Sequence, residues 1–204
     1  MKTRDKILQS AWKLFAEEGF EAVSVRDVTN HADVNLASVS YHFGSKSGLI
    51  QEIIAMALVP LNRQRVVLLK QAGDEAGGVE NVSLHGIIEC FVKPIVEPEA
   101  YGGSASMIAR LIARYLIDIE YDVPDSVMEA FSDVYKIFGT AIHAQRPDIE
   151  PKEALEKMIY STGAIFMYQA FSGQATKATS ARYNLNSDDY LDSAVKFCVA
   201  GFSS

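Results

Sequence analysis

The chain has 204 residues, 49% of them hydrophobic and 22% charged, with a formal net charge of −7. That length buries one good core, or one core with a small appended module, and mixed charge at this density is ordinary for a soluble globular protein. Two distant cysteines, Cys90 and Cys198, argue against a disulfide framework or a zinc site and for a reducing cytoplasm.

The start, MKTRDKILQSAWKLFAEEG, is broken by Lys13 and a polar face, which makes it a poor signal peptide. No stretch approaches the ~18 uninterrupted apolar residues of a membrane span. The best candidate, SMIARLIARYLI, carries Arg110 and Arg114, so no membrane partner is expected. The acidity is uneven. Residues 1–50 hold six basic and six acidic side chains, so the whole charge of −7 belongs to residues 51–204. A neutral N-terminal segment is compatible with nucleic-acid binding, while the balance argues against a generally basic, unspecific DNA binder.

The elements read as helices throughout, with no alternating strand run. The first covers 3–18, where Ile7, Ala11, Leu14 and Phe15 make one buried stripe. Gly19 stops it in left-handed geometry, and Phe20 folds back on Phe15. Ser24 and Asp27 form a capping box for a short second helix ending near His31, with Val25, Val28 and Ala32 inside. Asp33 and Val34 make a turn. Asn35 caps a third helix over 36–42, whose inner face is Leu36, Val39 and Phe43. Gly44 breaks it, and Ser45 caps a longer fourth helix starting at Lys46. Residues 73–81 read as a loop and 82–96 as a helix. A break follows at 98–103, then a helix over 104–117. Pro124 stands in the first turn of a helix running to Gln145. A turn at 146–151 leads to a helix over 151–172, a polar loop over 173–186, and a last helix capped by Ser187 and ending near Ala200. The count is nine helices: three in a head, residues 1–46, and six in a body, residues 47–204.

Two short helices joined by a tight turn and braced by a preceding helix form a helix-turn-helix. Its second helix must fit the major groove. Here the outward residues are Asn35, Ala37, Ser38, Ser40 and Tyr41, small or hydrogen-bonding and free of carboxylates. Tyr41, His42, Ser38 and Lys46 suit phosphate oxygens beside the groove, and Lys46 stands at a helix N-terminus that itself attracts anions. Ser24 and Arg26 open the helix that crosses the backbone. Packing is the competing explanation for the Tyr-His-Phe cluster; Phe43 is expected in the core, and His42 is left open between packing and phosphate contact.

Residues 3–50 resemble the DNA-binding head of the TetR (tetracycline-repressor-like) family of transcriptional regulators. The features that carry the resemblance are the Thr-Arg start, Leu-Phe-Ala-Glu-Glu-Gly-Phe, Ser-Val-Arg-Asp-Val, and Tyr-His-Phe-Gly-Ser-Lys followed by Leu. Three positions depart from the family pattern. Asp33 replaces a turn glycine, and Asp tolerates left-handed geometry better than most residues. Ala37 replaces a common glycine, and Ser40 a common tyrosine, which shifts contact onto Tyr41. The resemblance implies an all-α fold with a three-helix head and a six-helix body that forms a homodimer and holds a ligand pocket.

The body residues fit that implication. Segment 157–173, KMIYSTGAIFMYQAFSG, is apolar nearly all round and must be covered on every side. With the final helix it suits a four-helix bundle across a two-fold axis, using Ser161, Ala164, Tyr168, Leu191, Ala194, Val195 and Cys198; a central core helix in a monomer is the alternative. Phe91, Ile95, Met107, Leu111, Tyr135, Phe138 and Phe166 are candidates for an apolar pocket, though for any one of them an ordinary core position is the favoured reading. Arg110 and Arg114, one turn apart, can hold a ligand carboxylate or phosphate, or can be surface residues with buried stems, Arg114 pairing with Asp118. His85 and His143 read as structural or solvent-facing.

Two functional classes remain. One is a ligand-responsive regulator, a repressor in its expected direction, that binds a palindromic double-stranded DNA operator as a dimer and is released by a small hydrophobic effector. That effector is either a fatty acid or acyl-CoA, or another apolar or aromatic compound. The other is an all-helical enzyme or carrier. Against an enzyme stands the lack of a nucleophile elbow, metal set, glycine-rich phosphate loop or placed pair of acids, and no cofactor is expected.

Overall fold

A computed structural model describes residues 1–97, 108–109, 111–113, 115, 123–178 and 189–203, with backbone alone for 172–178. The first four helices are α1 (Thr3–Glu18), α2 (Val25–Ala32), α3 (Ala37–Phe43) and α4 (Lys46–Ala76). A 3-10 turn at Val79–Asn81 leads to α5 (Leu84–Val96). The helical residues 108, 109, 111–113 and 115 belong to α6. Then come α7 (Asp125–Gln145), α8 (Pro151–Ala178) and α9 (Tyr190–Ser203). The described residues contain no strand.

The head is fastened by the local chemistry read in its sequence. Ile7, Ala11 and Phe15 of α1 are fully buried, and the Phe20 ring returns to Phe15 at 5.3 Å between centroids. Gly19 makes that return with φ 98°, its N–H donating to the Phe15 carbonyl. Ser24 Oγ accepts from the Asp27 N–H at 3.2 Å, and Asp27 Oδ2 accepts from the Ser24 N–H at 2.8 Å, a complete capping box. Val28 and Ala32 are buried, while Val25 is half-buried. His31 Nδ1 meets Ser10 Oγ at 3.0 Å, tying α2 to α1.

Asp33 is the one non-glycine residue with positive φ among the described residues, at φ 52° and ψ 57°. A left-handed conformation costs an L-residue about 1–2 kcal/mol, partly relieved for Asp. Glycine gives back some of that through its looser unfolded chain. Asp33→Gly should therefore raise stability by roughly 0.5–1 kcal/mol, read as a higher midpoint in urea denaturation with unchanged slope.

The body differs from the expected boundaries in four places. α4 continues through residues 73–76 and ends at Gly77, φ 74°, because Gly73 is buried with the Val79 side chain where a Cβ would stand. α5 starts at Leu84 rather than 82, since Ser83 Oγ caps the Gly86 N–H. Pro124 is the N-cap of α7, one place before the first turn. Residues 173–178 are helical rather than loop, and α9 runs to Ser203, its end held by Arg146 donating to the Phe202 carbonyl and Lys157 to the Gly201 carbonyl. The expected break at 98–103, most of the 104–117 helix, residues 179–186 of the expected polar loop, and the Ser187 cap lie outside the described residues.

α4 spans both parts of the molecule. Leu49, Ile50 and Ile53 are buried near its start, where it packs on α1 and α3. Leu58, Leu61 and Leu69 are buried in its second half, against α5 and α7. Pro60 lies between these halves and removes one backbone hydrogen bond, which makes it the natural bending point of the helix. A second tether joins head to body: Phe20 meets Tyr115 of α6 edge-on at 6.3 Å.

Candidate nucleic-acid interface

Helix α3 stands at the surface, anchored by a single fully buried residue, Val39. Asn35 Oδ1 accepts from the Ala37 N–H at 2.8 Å, so this side chain starts the helix and keeps its NH2 group and one oxygen lone pair for other partners. Ala37 and Ser40 are exposed, Ser38 is half-buried, and Tyr41 is 84% exposed. A tyrosine held that far into solvent at the centre of a small-residue face is poorly explained by packing. His42 is half-buried, with its ring edge-on to Tyr41 at 4.9 Å and to Phe43 at 6.1 Å. It therefore supports Tyr41 from behind.

Two expectations about this helix are corrected. Leu36 is 48% exposed rather than part of the inner face. The Asn35 bond to Ala37 begins the helix one residue late and leaves Leu36 at the N-cap, outside the periodic stripe. Phe43 is half-buried rather than fully in the core. Arg4 covers it, with the guanidinium 5.5 Å from the ring centroid, and also pairs with Glu52 of α4.

Beside Tyr41 lies the start of α4. Ser45 Oγ takes the Gly48 N–H at 3.1 Å. The N–H groups of Lys46 and Ser47 have no intrahelical partner, and with the half-buried Lys46 side chain they form a small positive corner. Arg26 is exposed in the first turn of α2. Ser24 is less available than expected, because its hydroxyl donates to Asp27 Oδ2 at 2.6 Å. The same hydrogen bonds hold the Asp27 carboxyl below the usual carboxylate range.

In the body, Phe91, Ile95, Leu111, Phe138 and Phe166 are all buried. The Phe91 and Phe138 rings meet edge-on at 5.3 Å, and the half-buried Tyr135 stacks on Phe131 at 5.8 Å. Met107, Arg110 and Arg114 lie outside the described residues. His85 and His143 are exposed, and no group of three potential metal ligands occurs among the described residues.

Residues 7–53 match the family model for bacterial regulatory proteins of the tetR family. Residues 89–201, more than half of the chain, match the model for the tetracyclin repressor-like C-terminal domain. The chain belongs to the tetR family. That family consists of DNA-binding transcriptional regulators rather than enzymes.

This tetR-family chain is similar to the probable HTH-type transcriptional regulator YttP of Bacillus subtilis, 44% identical over 55 residues that make up 27% of each protein. It is also similar to the HTH-type transcriptional repressor KstR2 of Mycolicibacterium smegmatis, 37% identical over 51 residues, 25% of each. The match thus spans about a quarter of the length of these curated relatives. A tetR-family regulatory protein from Rhodococcus RHA1 shares the whole fold, with a TM-score of 0.65, 14% identity and coverage of 100% of this chain and 96% of that one.

Within the family frame, the expected dimer residues divide by face. Ala164 is exposed, and Tyr168 and Leu191 are half-buried, Tyr168 stacking on Tyr190 at 4.5 Å. Ser161, Ala194, Val195 and Cys198 turn inward and pack in the protomer core. Large apolar residues that face out are Leu155, Ile159, Tyr160, Met167 and Phe171 of α8 and Phe197 of α9. Positions 160, 164, 167 and 171 follow helical spacing and make one stripe. A segment apolar all round shows no moment in sequence, so nothing in it says which face is covered within the protomer.

Proposed function

We propose that this chain is a cytoplasmic, ligand-responsive repressor that binds a palindromic DNA operator as a homodimer. The head, residues 1–46, reads DNA; the body, residues 47–204, dimerises and binds a small hydrophobic effector. The observation that carries the reading is Tyr41, 84% exposed on a carboxylate-free helix beside Lys46 at the start of α4. Asn35, Ala37, Ser38 and Ser40 face bases, with Ala37 against thymine methyl groups. Tyr41, His42, Lys46 and Arg26 face phosphates, and Ser24 holds α2 in place. Leu36 adds an exposed apolar group at the start of the recognition helix. With no arginine on that helix, DNA shape carries part of the specificity. The exposed stripe on α8 and α9 supports a dimer that sets two recognition helices about 34–36 Å apart. Similarity to the transcriptional repressor KstR2 supports repression as the direction.

Selecting bound duplexes from a random pool, at two salt concentrations, tests the reading. A palindrome with a steep salt slope is expected; no sequence enrichment by ligand-stripped, folded dimer would overturn it. Lys46→Ala should weaken binding about tenfold across all sequences and reduce the salt slope by about 1. Tyr41→Ala should weaken binding by a similar factor. Thermal unfolding should be unchanged in both, since neither side chain is in the core.

A further inference from the structure

The most unusual side chain in the body is Arg65 of α4. It is 0% exposed, and Asn62, one turn earlier, is 1% exposed. Arg65 Nε donates to the Phe91 carbonyl at 2.8 Å, and Nη1 donates to Asn62 Oδ1 at 2.8 Å. The guanidinium carbon lies 3.9 Å from the centroid of the Phe91 ring, which covers one face of the cation. No carboxylate is paired with it among the described residues; the charged or titratable group it senses is Tyr135. Burial pushes its pKa down to about 9, which still leaves a cation at neutral pH.

Two donors in this cluster have no acceptor among the described residues: Arg65 Nη2 and Asn62 Nδ2. The bond from Nη1 to Asn62 Oδ1 sets the amide beside the guanidinium, so the two unused donors belong to neighbouring, hydrogen-bonded side chains. A buried cation is normally matched by an anion, and buried donors by acceptors. A clamp of α4 to α5 needs only the Nε bond to Phe91. It explains neither the unmatched charge nor the second pair of donors. An acceptor with two oxygens and one negative charge satisfies the whole set, because a guanidinium edge and a neighbouring amide match a carboxylate.

We infer that Arg65 and Asn62 anchor the carboxylate of the effector, an organic acid whose apolar part lies among the aromatic residues around Phe91 and Phe138. The inference rests on the ligand-responsive reading and narrows it to an anionic class. It also gives the ligand a mechanical handle. Arg65 lies 19 positions from Lys46 on one helix, about 28 Å at the usual rise, with Pro60 between them. An anion held by Arg65 acts directly on the helix that carries the positive corner of the head.

The test uses the full chain, stripped of ligand by unfolding and refolding. Straight-chain and aryl carboxylates are titrated in parallel with the matched primary alcohols, and binding is read by calorimetry and thermal shift. At least one acid should bind the wild type ten times more tightly than its alcohol, and Arg65→Gln and Asn62→Leu should bring the pair near parity. The comparison in wild type needs no variant, so it decides the matter even if Arg65→Gln does not fold. Alcohols that match their acids, a preference that survives Arg65→Gln, or binding by neither series would each overturn the anchor. Release of the selected duplex is scored separately with neutral and cationic aromatic compounds. Release by those alone leaves the ligand-responsive reading standing without the anchor; release by nothing removes both.

Discussion

A double variant, Met167→Glu with Phe197→Glu, should be a folded monomer whose operator affinity is at least about 100-fold lower. Tyr160 and Phe197 are 68% and 65% exposed, and Met167 and Phe171 are 43% and 46% exposed. Isolated surface apolar residues are common, but a stripe on α8 continued by α9 is an uncovered face. Because these side chains already stand in solvent, carboxylates there should leave the protomer fold intact. Across a two-fold axis the same substitutions meet their own copies, so each places like charges in a desolvated contact. A monomer then brings one recognition helix to one half-site and loses the second as an intramolecular contact, whose contribution commonly exceeds 100-fold. Sedimentation, circular dichroism and gel shift read the three parts independently. A dimer that survives both charges would place the interface on another face.

Among the described residues, α4 and one ring contact join body and head. α4 is one helix of 31 residues, its first half packed on α1 and α3 and its second on α5 and α7. Phe20 against Tyr115 makes a second contact between the parts. A ligand changes DNA affinity through these tethers only to the extent that it binds one arrangement of them better than the other. Pro60 allows α4 to bend with one hydrogen bond already missing, so the helix is weakest between the part that carries Arg65 and the part that carries Lys46.

The head was legible in sequence because each of its joints is made by neighbours in the chain. Ser24 with Asp27, Phe15 with Phe20, and Asp33 in its left-handed turn are all contacts of six residues or fewer. Arg4 was not legible, since its partners Phe43 and Glu52 are about 40 and 48 positions away. Arg65 left a trace that was readable: it occupies the apolar stripe formed by Leu58, Leu61 and Leu69, a place where an arginine must be buried. Inward Ala194, Val195 and Cys198 were expected at the dimer face because an apolar stripe on a terminal helix looks the same whether its cover is intramolecular or a second copy. Boundaries shifted where a polar-looking run stayed helical, as at 73–76, where buried Gly73 lets the 3-10 turn close against α4.

Gly48→Ala should lower stability by about 2–3 kcal/mol and reduce operator affinity more than Tyr41→Ala does. A Cβ at Gly48 would stand 2.1 Å from the Phe43 carbonyl oxygen and 3.3 Å from its carbon. The obstacle is backbone, and that carbonyl already accepts from the Ser45 N–H at 2.8 Å, so it has no side chain to rotate away. Intrinsic helix propensity acts the other way: alanine is favoured over glycine inside a helix by roughly 1 kcal/mol. Gly139→Ala isolates that term, because nothing lies within 4 Å of its would-be Cβ in the middle of α7, and it should raise stability. At Gly48 the collision outweighs propensity, and relief requires opening the corner between α3 and α4. That corner sets Tyr41 relative to Lys46, so the substitution moves the whole phosphate-facing edge, whereas Tyr41→Ala deletes one contact and leaves the rest in place. Urea denaturation of Gly48→Ala and Gly139→Ala, paired with gel shifts on one duplex, separates the two terms. If Gly48→Ala gains stability as Gly139→Ala does and keeps its operator affinity, the corner is soft and α3 is positioned by Val39 and Arg4 instead.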